Sequence, residues 1–217
     1  MTFAHHPDIA TLMAFSAGTL DEAFALVVSA HVSICDQCRH KVRGMAAIGG
    51  ALLQSETGID VSEGLLDSLL QAADEVEPEA PEALPETVDL RVPVPLARYV
   101  GRGLDAVRWR FSGPGVWTAE LPVGRNANSR LLLLKVAAGR KVPEHSHGGQ
   151  ELTLILQGAY RDRFGRFGAG DLADHDEDVE HQPIAEPGDD CICLVALDAP
   201  LSFRGRIVRA LQPLIGL

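Results

Sequence analysis

The feature that most constrains the fold is an acidic, proline-containing segment that divides the chain into two unlike parts. Between Glu56 and Asp89 there are eleven acidic residues and no Lys or Arg, so this segment accounts for the whole net charge of −11. Its last part, EVEPEAPEALPETVDL, buries too little apolar surface to fold and is extended by charge repulsion. We therefore predict domains at residues 1–75 and 96–217, joined by an acidic, Pro-rich linker at residues 76–95 that few contacts cross.

Residues before the linker repeat their apolar side chains with helical periodicity. We predict a helix IATLMAFSA capped by Asp8, a second through AFALVVSAHVSI, and a third from near Cys38 through RHKVRGMAAIGGALLQ. A fourth begins after Ser62 and carries a stripe of leucines at positions 65, 66, 69 and 70. Four helices in so short a segment bury little apolar surface, so this unit needs an additional stabilising element.

The motif His31-V-S-I-Cys35-D-Q-Cys38 supplies such an element. His31 and Cys35 are four residues apart and face one side of a helix, and the CxxC spacing lets both sulfurs reach one ion at the helix end. Structural zinc takes four ligands, and the other candidates in this half are His5, His6 and His40. We favour His6, because it precedes the first helix and can fold back across the pair.

Beyond the linker the pattern changes to short segments of β-branched, aromatic and leucine residues. Seven segments predict strands: VRWRF, VWTAEL, RLLLLKVA, ELTLILQG, YRDRF, CICLVAL and LSF. No helix interrupts them before RGRIVRALQPL near the end, so an antiparallel sandwich or barrel is expected instead of a parallel sheet. The predicted fold class is two-domain, α followed by all-β: a small zinc-stabilised helical bundle and then a β-barrel.

A second set of polar residues lies within these strands, in His145-S-H-G-G-Q-Glu151-L-T-L-I-L-Q. His145 and His147 share one face of a strand, and a tight turn at the two glycines is expected to bring Glu151 back from the next strand. A fourth ligand is expected thirty residues on, at His181. Burial of each of these polar groups without a partner would cost several kcal/mol, so a bound metal ion is the first candidate to compensate them. Three imidazoles and a carboxylate suit iron, manganese, nickel or zinc.

Few other polar groups are expected inside the barrel: Thr153, Gln157, Tyr160 and the pair Cys191 and Cys193. Both thiols point to the same side of CICLVAL, where core packing is favoured over a redox pair because the spacing suits a mutual disulfide poorly.

These motifs resemble known families. Gly139-RKVPE-His145-S-His147-GGQ-Glu151-LTLILQ-Gly158 resembles the first cupin motif, and FGAGDL followed by His181 resembles a degenerate second one. The segment GTLDEAFALVVSA-His31-VSI-Cys35-DQ-Cys38-R is similar to the zinc-binding domain of bacterial anti-sigma factors. In this order, the two domains resemble the ChrR-type anti-sigma factors along essentially the whole chain.

The resemblance implies a zinc site of His6, His31, Cys35 and Cys38, in a helical domain that inhibits a sigma factor of the extracytoplasmic-function type. It implies a jelly-roll cupin that holds a divalent metal, zinc first and iron, manganese or nickel as alternatives, and that controls release of the sigma factor under oxidative stress. The alternative is a metal-dependent cupin enzyme, of dioxygenase or isomerase type, with a regulatory helical domain. In either case the cupin is a candidate site for a small-molecule ligand.

Charge and hydropathy limit the other partners. Residues 1–55 hold three basic and four acidic residues, so direct nucleic-acid binding is not expected. No stretch approaches the roughly 18 apolar residues of a membrane span, and the N-terminus lacks the pattern of a signal peptide. We place the protein in the cytoplasm, where closely spaced cysteine pairs indicate metal or redox chemistry more often than disulfides.

Overall fold

Helices occupy the N-terminal part of the chain and strands the rest in the computed structural model, which describes residues 3–76, 89–101, 103–124 and 129–203. The helices are α1 (Ile9–Ser16), α2 (Glu22–Ile34), α3 (Asp36–Ser55), α4 (Leu65–Glu75) and α5 (Ala97–Val100), with 3-10 turns at Val94–Leu96 and Leu104–Ala106. The strands are β1 (Arg110–Gly113), β2 (Val116–Leu121), β3 (Arg130–Val136), β4 (His145–His147), β5 (Glu151–Gln157), β6 (Ala159–Asp162), β7 (Gly165–Gly168), β8 (Leu172–His175), β9 (Glu180–His181), β10 (Ile184–Ala185), β11 (Cys191–Leu197) and β12 (Leu201–Phe203). Within the described ranges, no helix has the length and apolar character needed to cross a membrane.

The strands form three antiparallel sheets that together make the barrel. Their orders are β1-β2-β3-β11-β5-β8, β10-β6-β7 and β12-β4-β9. The predicted fold class, helices followed by a cupin barrel, is confirmed. Strands at β4 and β9 were expected from the positions of His145, His147 and His181, whereas β7, β8 and β10 were not predicted, because two to four residues are too few to show alternation. The helix predicted at RGRIVRALQPL lies outside the described residues.

The starts of the helices follow from local hydrogen bonds. The Asp8 carboxylate accepts the backbone N–H of Thr11 at 2.6 Å, so α1 begins as predicted. Helix α3 begins at Asp36, two residues before the predicted start, and α4 begins after Gly64 and not at Ser62. Gly64 has a positive φ of 81°, a conformation that glycine adopts without strain.

The two faces of the six-stranded sheet have different partners. Odd-numbered residues of β11, such as Val195, and of β5 as far as Ile155 face the barrel interior, as the alternation predicted. Even-numbered residues, such as Leu154 and Leu194, pack in one continuous core with Leu12 of α1 and several residues of α2. The helices therefore cover the outer face of the sheet.

This shared core corrects the expectation that few contacts join the two domains. Helix α2 buries residues on nearly every side, including Ala23, Val27, Val28 and Ala30. Helices α1 and α3 contact part of this surface, and the leucines on the outer face of the sheet contact the rest. The composition of the linker carries no information about this packing.

Part of the predicted linker is also packed. Residues 77–88 lie outside the described residues, but from Asp89 the chain is held against the barrel. Asp89 accepts hydrogen bonds from Arg91 and from the backbone N–H of Leu104, which together lower the pKa of Asp89 to about 2. Arg91 also donates to Gln157 at 2.7 Å, and Leu96 is fully buried. The predicted bounds 1–75, 76–95 and 96–217 stay a prediction.

Candidate metal centres

The first cluster brings together His6, His31, Cys35 and Cys38, as the sequence predicted. Their ligand atoms all lie within 4.8 Å of one another. His31 and Cys35 share one side of α2, and the chain leaves the helix at Cys35 so that Cys38, in the first turn of α3, comes round to the same point. The Nδ1 atom of His6 lies 3.5 Å from the Cys35 sulfur, 3.4 Å from the Cys38 sulfur and 3.4 Å from His31 Nε2.

These separations fit the ligand shell of a tetrahedral metal. Zinc bonds of about 2.3 Å to sulfur and about 2.0–2.1 Å to nitrogen give tetrahedral edges of about 3.6 Å between N and S and about 3.3 Å between two N atoms. The donor set of two thiols and two imidazoles is also one that structural zinc uses. The cluster can therefore hold a metal ion.

The choice between His5 and His6 follows from the extended segment before α1, where neighbouring side chains point to opposite sides. The His6 ring turns toward the helices. The His5 ring stacks on Phe167 at a centroid distance of 3.9 Å, and its Nε2–H donates to the backbone carbonyl of Arg166. His40 is exposed on α3.

Burial sets the protonation of this cluster. It lowers the pKa of His31 to about 4, so the ring is neutral at pH 7. The Nδ1–H of His31 donates to the carbonyl of Gly170 at 3.0 Å, which leaves the lone pair of Nε2 directed at the cluster. Burial, together with the neighbouring Cys35, raises the pKa of Cys38 to about 12, so this thiol keeps its proton at neutral pH until a cation replaces it.

The second cluster lies inside the barrel. His145 and His147 on β4 and His181 on β9 place one nitrogen each within 4.8 Å of the others. Glu151 on β5 contacts this group, because its Oε2 lies 3.3 Å from His147 Nδ1. The four residues predicted from the sequence therefore meet.

The route by which they meet differs from the prediction. Strand β4 pairs with β9 and β12, whereas β5 belongs to the six-stranded sheet, so Glu151 does not return on a strand paired with β4. The chain crosses between sheets at Gly148 and Gly149. A Cβ on Gly149 would collide with the Asp198 carboxylate, so a side chain at this position would displace Asp198.

Two of the imidazoles are oriented by acceptors behind them. His145 donates its Nδ1–H to the carbonyl of Pro143 at 2.9 Å, and His181 donates its Nδ1–H to Asp162 Oδ2 at 2.8 Å. Burial opposes ionisation of Asp162, but the hydrogen bond from His181 lowers its pKa overall, so the carboxylate only accepts. The two Nε2 lone pairs then face each other at 3.0 Å.

Two facing lone pairs at that distance repel each other, and a cation between them would remove the repulsion. A proton is disfavoured, since burial lowers the pKa of His145 to about 4. Two nitrogens bound to one metal at about 2.0–2.1 Å lie about 2.9–3.4 Å apart, so a divalent metal fits. Burial would raise the pKa of Glu151, but the adjacent His147 and the other imidazoles lower it to about 2, which keeps the carboxylate ionised.

Sequence reasoning missed two polar residues of this centre, Asp162 and His175. His175 on β8 lies directly opposite Glu151, with its ring 4.9 Å from that of His181, and its Nε2 has no hydrogen-bond partner among the described residues. Asp162, His175 and His181 form a further group of possible ligands that shares His181. The alternation in L-A-D-H after Gly170 was the one available signal for His175.

An apolar cavity lies behind the ligands. Its wall is largely aliphatic, with polar groups supplied by Thr153, Tyr160, Cys191 and Cys193 beside the ligands. The two thiols lie 3.6 Å apart and face the interior together, as the spacing predicted. Gln157 was also expected to face inward, but its side chain accepts a hydrogen bond from Arg91 and donates one to the carbonyl of Asp190.

Comparison with known proteins places the chain in a family. Residues 100–200 match the family described as the ChrR cupin-like domain. The chain is 48% identical over 214 residues to the anti-sigma-E factor ChrR of Cereibacter sphaeroides, an alignment that covers 98% of each protein. It also matches a chain in the crystal structure of Rhodobacter sphaeroides SigE in complex with the anti-sigma ChrR, with a TM-score of 0.78 and 46% identity, covering 91% of this chain and 100% of the other. With both domains matched along nearly their full length, this chain belongs to the ChrR family of anti-sigma factors.

Proposed function

We propose that this protein is an anti-sigma factor whose helical domain binds and inhibits a sigma factor of the extracytoplasmic-function type. The cupin barrel then controls release of the sigma factor under oxidative stress. The proposal rests on the family and on one observation, an apolar surface on α3 and α4. The similar ChrR chain was solved in complex with a sigma factor, SigE.

This surface, called the docking surface below, has the character of a protein interface. No residue of α4 is buried, although α4 carries four leucines. Leu66 is 67% exposed and Leu53 is 75% exposed. Exposed apolar side chains repeated along one side of an amphipathic helix are a common form of protein interaction site. The docking surface consists of Ile48, Leu52, Leu53, Leu65, Leu66, Leu69 and Leu70.

Charge supports a sigma factor as the partner. Helix α4 carries Asp67, Asp74 and Glu75 and no basic residue. A DNA-binding protein presents Lys and Arg to the phosphate backbone. An acidic helix with an apolar stripe can therefore cover a basic, DNA-binding face and prevent it from reaching a promoter.

We further propose that zinc occupies the cluster of His6, His31, Cys35 and Cys38, where it stabilises the junction of α2 and α3. For the cupin cluster we propose a divalent metal, zinc first and iron, manganese or nickel as alternatives, because three imidazoles and a carboxylate suit all four. Sigma factors act on RNA polymerase, so the protein is proposed to work in the cytoplasm.

The test uses the full chain with paired substitutions on the docking surface. Leu66→Arg with Leu69→Arg places two charges in the stripe, and we expect co-purification with a host sigma factor to fall at least tenfold and its promoters to become active. Leu90→Arg, at a 95% exposed site in the last part of the predicted linker, is the matched control. Zinc content should be equal in all variants. Unchanged capture of the sigma factor by the double variant would contradict the proposal.

The alternative, a cupin enzyme of dioxygenase or isomerase type, makes a different prediction for the same protein. An enzyme needs polar groups that orient substrate and move protons. The cavity offers few beside the ligands, but His175 lies next to His181, and its Nε2 has no hydrogen-bond partner within the described residues. Metal-dependent turnover of a small molecule that is lost in His175→Ala, combined with no capture of a sigma factor, would favour the enzyme.

A further inference from the structure

One turn of the barrel, residues Gly168–Asp171 between β7 and β8, reaches the metal cluster of the helical domain. The carbonyl of Gly170 accepts the Nδ1–H of His31 at 3.0 Å. The Asp171 carboxylate accepts the backbone N–H groups of Ala4 at 2.7 Å and His5 at 3.1 Å. His31 is one ligand of the cluster, and the segment held by Asp171 leads directly into another, His6.

The turn itself is held firmly by the barrel. The N–H of Gly170 donates to the carbonyl of Ile155 at 2.8 Å, and the N–H of Ile155 donates to the carbonyl of Asp171 at 3.0 Å. The second Asp171 oxygen accepts the N–H of Gly168 at 2.9 Å. Both carboxylate oxygens of this buried residue are therefore used, one within the barrel and one toward the helical domain.

Phe3 completes the contact. Gly170 has a φ of +92°, and a Cβ there would collide with the Phe3 ring. The Phe3 ring also lies 5.7 Å from the ring of His31, measured between centroids. Leu172, the first residue of β8, donates its N–H to the carbonyl of His5 at 3.2 Å. Residues 3–5 thus lie between the turn and the metal ligands and contact both.

We propose that Gly170 and Asp171 are positioning residues for the zinc site of the helical domain, so that zinc retention and docking of the two domains are thermodynamically coupled. A metal-binding imidazole is oriented by the acceptor on its other nitrogen, and loss of such an acceptor typically lowers metal affinity about 10–100-fold. Here the acceptor belongs to the other domain. Because coupling free energy is reciprocal, zinc in turn strengthens the contact of residues 3–5 with the turn.

The same turn connects the two metal centres. Strand β8 begins directly after Asp171 and ends at His175, which lies beside His181 in the barrel. A rearrangement of the cupin centre that moves β8 therefore also moves the turn at Asp171. Because this turn contacts the ligands of the first centre, the four residues of β8 connect the two centres. This inference rests on zinc binding by the first cluster, as proposed above, and not on binding of a sigma factor.

The test measures zinc release from the full chain to a chromophoric chelator. In Asp171→Ala we expect zinc to leave the helical site about 10–100-fold faster, while the cupin metal is retained. Asp178→Ala, an exposed aspartate in the loop after β8, is the matched control and should release zinc at the wild-type rate. Release in the Asp171 variant within twofold of wild type, with the barrel folded, would overturn the proposal.

A second variant covers the case in which Asp171→Ala fails to fold. Phe3→Ala removes a partly buried ring that touches the turn, and neither a ligand nor a hydrogen bond is lost. Zinc release from this variant should also be faster than from wild type, by at least threefold. Phe111→Ala, at an exposed phenylalanine of β1, is its control. If Phe3→Ala released zinc at the same rate as the control Phe111→Ala, the proposal would likewise be overturned.

The reciprocal effect has its own readout, in amide hydrogen exchange. The N–H of Leu172 belongs to the barrel but donates to His5, so its exchange should become faster when zinc is lost in a Cys35→Ser/Cys38→Ser variant. The N–H of Leu194, in the centre of β11, should not change. Equal protection of Leu172 in the presence and absence of zinc would contradict the coupling.

Discussion

His145 and His181 face each other across the antiparallel pair β4 and β9, with their Nε2 atoms 3.0 Å apart. Each ring donates its Nδ1–H outward, to Pro143 and to Asp162, so two lone pairs point into one small space. Neutral imidazoles in this arrangement repel each other unless a cation lies between them. The interior of the barrel can therefore hold a metal ion, by its electrostatics as well as by its residue types.

We expect replacement of Glu151 by Ala to empty the cupin centre and leave the other centre filled. Total metal should fall from about two equivalents per chain toward one. The two ligand sets share no residue, so loss of metal from one site should leave the other site occupied. Elemental analysis of the purified protein measures this. Glu144→Ala, at an exposed glutamate beside β4, is the control. An unchanged metal count after replacement of all four ligands would disprove the assignment.

Asp162→Asn should weaken the cupin centre without removing a ligand. The amide oxygen still accepts from His181 but carries no charge, so the ring becomes a poorer donor and less firmly oriented. We expect an affinity for the cupin metal about 10–100-fold lower than in wild type. Competition with a chelator of known affinity measures the change, and Asp176→Asn, at an exposed position, should have no effect.

Three residues of the first cluster could be predicted from sequence because their geometry is local. His31, Cys35 and Cys38 lie where α2 ends and α3 begins, and their spacing alone brings these side chains together. His6 was predictable by elimination and by its position before α1. The orientation of His31 was not, since its partner is the carbonyl of Gly170, 139 residues away in the chain.

The residues missed in the barrel have a similar explanation. His175 lies on a strand of four residues that gave no periodic signal, and Asp162 lies in a predicted strand, but only the tertiary fold brings either residue beside His181. The packing of α2 on the outer face of the barrel was missed for a different reason. The sequence shows that the outer face of β5 is apolar, at Leu152, Leu154 and Leu156. It does not show that a helix packs against this face, because the neighbouring residues in the sequence carry no information about that partner.

Zinc binding to the first cluster should strengthen as pH rises. In the metal-free protein the Cys38 thiol has a pKa of about 12, so zinc must displace its proton throughout the neutral range. His31, with a pKa of about 4, is already neutral there and releases none. Affinity should therefore increase at least about tenfold per pH unit between pH 6 and 8. Chelator competition across this range, in a Glu151→Ala background, measures the slope, and a flat profile would contradict the protonated thiol.

The cupin ligands should be needed for signalling and not for inhibition. With His145, His147 or His181 replaced by Ala, we expect target promoters to remain silent in unstressed cells, because the docking surface lies on α3 and α4. Induction by oxidative stress should be lost. A promoter fusion in the host measures both states, with His40→Ala, an exposed histidine of α3, as the control. Normal induction with an empty cupin centre would show that the response to stress does not need the cupin metal, which contradicts this prediction.

The helices and the barrel should unfold together, because they share a core. Leu154→Ala removes a fully buried side chain on the outer face of β5, and we expect a loss of about 2–5 kcal/mol in unfolding free energy. Leu69→Ala, at a 59% exposed position of α4, should change it by less than about 0.5 kcal/mol. Both tryptophans, Trp109 and Trp117, follow the linker, so fluorescence in urea follows the barrel while zinc release follows the helices. In Leu154→Ala both transitions should move to lower urea by similar amounts. A shift in fluorescence alone would mean that the helical domain keeps its stability without the barrel, which the burial of Val27 and Val28 against the shared core opposes.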